Sequence, residues 1–272
     1  MKNYEAILEH HLKQKDLEIT CKNIADVTKE EFAKLRCDGF GASDSALLLD
    51  VSPFGTRSGL VQDKADMVFH EEISKKPSVR MGSDIEPIIL HKAEKLLKQL
   101  VYSDKALVYK PVHMYGNKTN HLNINFDGVL FLNEEQPYTI VEAKAVTRWG
   151  LKYYNTDKAF IKTVDGEVDT VNNEPFKDLG KPEVGVITPF NIKEMCTKLA
   201  DYYGIPVYYF TQVQQQLMGM DAEYGYLATL LTDVWEVYIY KIYKNEDVIN
   251  VLKQESTKNW AMVEAKRMFK KK

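Results

Sequence analysis

INFDGVLFLNEEQPYTIVEAKAV, residues 124–146, has the outline of a β-hairpin. Two apolar runs flank a polar turn, as two strands and their loop should. Asp127 interrupts the first run, and Glu142 and Lys144 interrupt the second, where a half-buried strand favours Val or Thr. Side chains alternate along a strand, so Glu142 and Lys144 project to one face beside Ile140, and Asp127 arrives from the neighbouring strand across the turn. Two carboxylates brought together in a partly buried site repel, and each loses hydration unless a cation compensates. A divalent metal does this: Mg²⁺ takes hard oxygen ligands, often one or two carboxylates, with water and substrate phosphate in the remaining positions. A lysine alongside does not ligate the ion, but can hold an attacking water or balance charge on a phosphate in the transition state. A plainer reading stands beside this one. Asp-Gly often marks a turn, and Glu-x-Lys on a strand is often a solvated face with a weak ion pair. The apolar flanks of TIVEAKAV weigh against it, because Glu142 lies in a run too hydrophobic to be all surface.

The wider composition bounds the class. With 272 residues, 44% of them hydrophobic, the chain can bury a sizeable core. It has no apolar run near the ~20 residues of a membrane span. Charges stand where a signal peptide would have its apolar region, so a cytoplasmic protein is expected. Cys21, Cys37 and Cys196 form neither a CxxC pair nor a disulfide ladder, which suits a reducing compartment. The net charge of −3 is not the footprint of a basic DNA-binding domain. Any contact with nucleic acid must come from a local basic lining, or from metal ions that neutralise a carboxylate cluster.

Hydrophobic spacing predicts helices over 3–14 and 27–36, the second opened by a Thr28–Glu31 capping box. A glycine turn leads to a short helix at 43–50, SPFG breaks it, and 57–67 is helical again. Residues 84–100 carry the clearest apolar stripe, with Pro87 placed in the first helical turn. Strands are expected at 106–113, 121–132 and 138–146, with a turn at 133–138. Residues 154–197 are polar and read as an insertion or long surface loop. A helix at 205–219, strands in YGYLATLLT and VWEVYIYKIY, and a charged helix at 245–269 complete the pattern. The whole chain, 1–272, reads as one α/β domain with a mixed central sheet flanked by helices. Residues 1–32 are a helical extension at its start, and 245–272 a helix and basic tail at its end.

In order, the chain shows GFGASDSALLLDVSPFGT (39–56), MGSDIEP (81–87), NFDGVL (125–130), VEAKAV (141–146) and YYFTQVQQQLMGMDAEYGYLATL (208–230). This series over residues 33–245 resembles the YqaJ-like viral recombinase family, the group that includes phage lambda exonuclease, within the PD-(D/E)XK nuclease superfamily. The resemblance implies the restriction-endonuclease-like core. It makes Asp127 and Glu142 carboxylate ligands of a metal, adds the backbone carbonyl of Ala143, and gives Lys144 the place of the motif lysine. Glu86 matches a helix-borne acid that helps hold the metal; it is equally a glutamate stabilised at a helix start, worth ~0.5 kcal/mol. Arg36 and Ser43 match residues that grip a 5′-terminal phosphate, a role suited to a guanidinium fork and a hydroxyl at a helix head. Ser43 could instead simply cap its helix. Asn125 stands where the family has a serine of the same pocket. Gln212, in the Tyr-x-x-Gln-x-Gln helix, matches a glutamine that reaches the catalytic centre, although a glutamine run on a helix is often plain surface. Tyr209 and the other tyrosines read as core and rim.

The function implied is a Mg²⁺-dependent deoxyribonuclease, with Mn²⁺ as the other candidate and one or two ions. It would digest double-stranded DNA ends 5′→3′ and leave 3′ single-stranded tails for a phage annealing protein, working as a ring trimer in the bacterial host cytoplasm. Two alternatives stay open at this stage: an endonuclease of the same superfamily, and a non-catalytic DNA-end-binding protein. Three cysteines cannot complete a four-cysteine iron–sulfur site, and no GxxxxGK[ST] nucleotide loop is present.

Overall fold

A computed structural model describes residues 3–21, 23, 26–68, 76–164, 167–168 and 177–270. In chain order, α1 (Tyr4–Lys13), β1 (Glu18–Cys21), α2 (Lys29–Cys37), β2 (Phe40–Gly41), α3 (Ser45–Leu48) and α4 (Arg57–Asp66) lead to the long helix α5 (Pro77–Leu97). Strands β3 (Leu107–Tyr109), β4 (Met114–Asn117), β5 (Leu122–Ile124), β6 (Gly128–Phe131) and β7 (Pro137–Val146) follow. Then come the short α6 (Arg148–Leu151), β8 (Ile161–Val164), β9 (Glu167–Val168), α7 (Ile192–Tyr203) and α8 (Val207–Met220). The chain closes with β10 (Tyr224–Leu231), β11 (Glu236–Tyr243) and α9 (Glu246–Lys270).

Seven strands form a mixed sheet in the order β3-β6-β7-β10-β11-β8-β9, and four form a smaller one, β1-β4-β5-β2. In the large sheet β7 runs antiparallel to β6 and parallel to β10, with Glu142 opposite Leu227 and Lys144 opposite Thr229. The strand period then separates two cores. Ile140 and Leu227 join Phe210, Val213 and Leu217 of α8, whereas Val141, Ala143 and Ala228 join Ile89, Leu90 and Leu97 of α5. Glu142 and Lys144, in step with Ile140, therefore belong to the α8 face. The face is set by alternation alone.

Several expectations need correction. Helix α5 begins at Pro77, which takes the N1 position, and Pro87 lies inside it. The apolar stripe marks only the packed half of this helix; its first two turns are largely exposed and bury no side chain. Glu86 is consequently a mid-helix residue, and its reading as a helix-start anion does not apply. The run 121–132 is not one strand: it breaks at residues 125–127, and β5 joins the small sheet while β6 joins the large one. The run 106–113 ends early, at Tyr109, with Pro111 unable to donate to a ladder. Residues 154–197 are not wholly a surface loop. Phe160 and Ile161 are buried, β8 pairs with β11, and α7 starts at Ile192. Residues 165–166 and 169–176 of that stretch lie outside the described residues. The N-terminal extension also holds a strand as well as a helix, since β1 pairs with β4.

Candidate active site

The break between β5 and β6 is what brings Asp127 to the site. Phe126 is buried as an anchor, and Gly128 starts β6. A Cβ on Gly128 would lie 2.8 Å from both Leu90 Cδ2 and Val108 Cγ1, so glycine answers here to close packing rather than to a turn. The Asp127 side chain bends back onto β7, where its Oδ2 accepts the Ala143 N–H at 3.0 Å and stands 3.8 Å from Lys144 Nζ. Ala143 thus contributes its N–H to Asp127.

Glu142 is 1% exposed and receives three donors. Lys144 Nζ and Gln212 Nε2 both donate to its Oε1, and Gln216 Nε2 donates to Oε2 at 2.6 Å. Gln216 also reaches the Asn125 carbonyl at 3.3 Å, which ties the β5–β6 break to α8. Burial first, and the Asp127 charge second, push the Glu142 carboxyl up to about 7, against the pull of Lys144 and Gln216. Burial works against the Lys144 ammonium, but Glu142 and Asp127 outweigh it and hold the amine charged.

Glu86 stands apart. It lies on α5, against the opposite face of β7, and its Oε1 pairs with Lys110 Nζ at 2.7 Å. Burial and the Asp127 charge raise its carboxyl, so it lies within electrostatic reach of the cleft without lining it. Among the described residues no three His, Cys, Asp or Glu side chains converge into a ready cage for a metal ion. The donor set nonetheless fits a divalent cation: two mutually repelling carboxylates share one pocket. Beside them the buried Gln216 Oε1 has no hydrogen-bond partner among the described residues.

A cleft of about 150 Å³ joins Asp127, Glu142, Lys144 and Gln212 to Arg36, Ser43 and Asn125. Phe32 and Met114 supply part of its apolar wall. Arg36 Nη2 donates to Ser43 Oγ at 3.1 Å, so the two phosphate candidates already touch. Ser43 does not cap a helix. Asp44 takes the Gly41 N–H at 2.9 Å instead, and also holds the buried Lys64 at 2.7 Å. Gln214 faces away from Gln212, binding the Tyr243 carbonyl and the Asn245 N–H.

Sequence reasoning missed Gln216, Lys110 and the Lys64–Asp44 pair. Only Gln216 carried a signal, because it lies four residues after Gln212 and so on the same helical face. The glutamine run is not surface: Gln214, Gln215 and Gln216 are all buried.

Comparison with known proteins bears on the fold and the family. Among solved structures, LHK-Exo in complex with dAMP superposes with a TM-score of 0.53 at 13% identity, over 89% of this chain and 96% of the other. The alkaline exonuclease LHK-Exo from Laribacter hongkongensis likewise gives 0.53 at 12% identity over the same shares. These likenesses show the fold, a PD-(D/E)XK-like mixed sheet flanked by helices. No curated protein sequence matches the chain. A family model described as the YqaJ-like viral recombinase domain matches residues 31–223, which span the cleft residues from Arg36 to Gln212. With most of its length so matched, the chain belongs to the YqaJ-like viral recombinase family.

Proposed function

We propose that this protein is a metal-dependent 5′→3′ exonuclease of double-stranded DNA, generating 3′ single-stranded tails. The observation that carries the reading is the shared cleft: Asp127, Glu142 and Lys144 open into the same space as Arg36, Ser43 and Asn125. That is where a scissile phosphate and a terminal phosphate of one strand would lie together. Asp127 and Glu142 would hold Mg²⁺ or Mn²⁺, one or two ions, with Glu86 able to join on release from Lys110 and the Ala143 carbonyl as a further oxygen. The chemistry such an ion supplies when bound is neutralisation of the phosphodiester charge and a more acidic water. Lys144, held as an ammonium, would offset charge growing on the phosphate and orient the water for in-line attack. Gln212 and Gln216 fix the Glu142 carboxylate, so it need not reorganise. Arg36 and Ser43 would grip the terminal phosphate, the guanidinium in a fork and the hydroxyl as a single donor, with the Asn125 amide beside them. DNA ends and a phage annealing protein that takes the tails are the partners this implies, in the cytoplasm of a bacterial host.

The test is a linear duplex carrying phosphate or hydroxyl at each 5′ end in turn, incubated with Mg²⁺ or with chelator. Mg²⁺-dependent nucleotide release from the 5′ end, faster from 5′-phosphate, is expected. Equal digestion of a covalently closed circle would make it an endonuclease. Duplex binding with no nucleotide release in Mg²⁺ or Mn²⁺ would make it an end-binding protein.

A further inference from the structure

An aromatic band passes beside Lys144, one of the residues that line the cleft. Phe54, in the loop after α3, meets Tyr208 edge-on at 5.1 Å, Tyr208 meets Tyr209 at 4.4 Å, and Tyr209 meets Tyr154 at 6.3 Å. Lys144 Nζ lies 5.4 Å from the centre of the Tyr209 ring, at the middle of the band. The ends of the band are not core. Phe54 is 77% exposed, and beyond Tyr154 the α6 turn presents Tyr153 at 61% and Trp149 at 84%. Single exposed apolar residues are ordinary, but large exposed rings towards both ends of a band that passes Lys144 mark an interaction surface.

The Trp149 end is built rigidly. Thr147 caps α6 through the Gly150 N–H, and Arg148 N donates to Asp233 Oδ2 at 3.2 Å. Gly150 lets the turn close onto β7, since a Cβ there would stand 3.1 Å from Val146 Cγ1. The indole is therefore held out on a fixed support. Charge favours a polyanion at this end. No Asp or Glu occurs between Glu142 and Asp157, while Arg148 and Lys152 fall in that window. Neither makes an ion pair among the described residues, and Lys152 Nζ sits 4.8 Å over the Tyr153 ring. Exposed rings interleaved with unpaired cations match the chemistry of an unpaired nucleic-acid strand, whose bases stack on rings while its phosphates take the charges. A protein partner would explain the rings but not the Arg148 and Lys152 side chains, which make no ion pair among the described residues even with Asp233 on the Arg148 backbone N–H.

We propose that Phe54 on one flank and Trp149 with Tyr153 on the other are stacking platforms for unpaired nucleotides of a DNA strand, with Arg148 and Lys152 contacting its phosphates. The proposal rests on the reading of the cleft as a DNA-processing site.

Binding of fluorescein-labelled oligothymidylate in chelator tests it, by anisotropy, with the full chain and its W149A, F54A and W149F variants. Trp149→Ala and Phe54→Ala each weaken binding about 5- to 100-fold, while Trp149→Phe, which keeps a ring, stays near wild type. Replacing Arg148 and Lys152 with Ala lowers the salt slope by about one to two. Wild type that does not bind oligothymidylate, or Ala variants that bind as wild type does, overturn the proposal. So does a Trp149→Ala variant that keeps the oligonucleotide but loses self-association, because the band would then be a contact between copies. Nucleotide release from duplex by wild type with Mg²⁺ is measured alongside. Release with unaffected oligonucleotide binding in the variants sinks the platforms alone. No release, with binding lost in Trp149→Ala, sinks the nuclease reading alone.

Discussion

At the scale of single residues, Glu142 has little room for change. Its oxygens are shared among Lys144, Gln212 and Gln216, and almost none of its surface reaches water. Lys144→Ala removes the ammonium from a candidate transition-state position and leaves Glu142 buried without its counter-charge. Nucleotide release from duplex is expected to fall about 100- to 1,000-fold. Urea unfolding should show a parallel loss of about 3 kcal/mol or more. Gln216→Leu keeps volume but removes one donor to a carboxylate, so a loss of about 1.5–3 kcal/mol is expected in the same unfolding experiment. A drop in kcat larger than any change in KM should accompany it, because Gln216 touches Glu142 and not the cleft wall. Unchanged stability in Gln216→Leu would show that the contact to Glu142 contributes little.

At the scale of elements, α5 and α8 are each marked by one residue that breaks a local rule. Pro87 lies inside α5, where it withholds an N–H and crowds the preceding turn. Pro87→Ala should raise stability by up to about 3 kcal/mol. It should also slow nucleotide release, because Glu86 is the adjacent residue and its pairing with Lys110 depends on the helix path. Asp221 closes α8 in the left-handed conformation, φ 54°, a place where a carboxylate meets the negative end of the helix dipole. It is held there by Lys15 at 2.7 Å and Lys244 at 2.8 Å, which lower its carboxyl to about 2. A depressed folded-state pKa stabilises above the ordinary carboxylate value, and that contribution disappears as pH falls through about 2. Asp221→Asn tolerates the same backbone and removes only the charge. The pair is partly exposed, so the loss at neutral pH should be at most about 1 kcal/mol, vanishing near pH 2 in thermal unfolding scans.

For the whole molecule, a net charge of −3 requires the DNA contact we propose to be local, gathered around the cleft and the Arg148–Lys152 window. A ring of three chains is the assembly we propose from the family likeness. Light scattering on a sizing column should then give three times the 31.3 kDa chain mass. A single-chain mass at micromolar concentration would rule the ring out. No described helix is long and apolar enough to cross a membrane.

The sequence by itself determined the hairpin and the face of its charges. Alternation along β7 is a property of consecutive residues, so Glu142 and Lys144 had to share a side whatever packed on it. The capping box at Thr28 and Glu31 was legible for the same reason, and both of its bonds are present. Only tertiary structure decided what those charges meet. Gln212 and Gln216 reach Glu142 across 70 and 74 residues of chain, through the docking of α8 on the sheet. Lys110 drawing Glu86 aside, and the strand break that turns Asp127 onto β7, likewise depend on contacts between segments. No local pattern encodes a partner so far away; burial and hydrogen-bond satisfaction in the packed molecule select it.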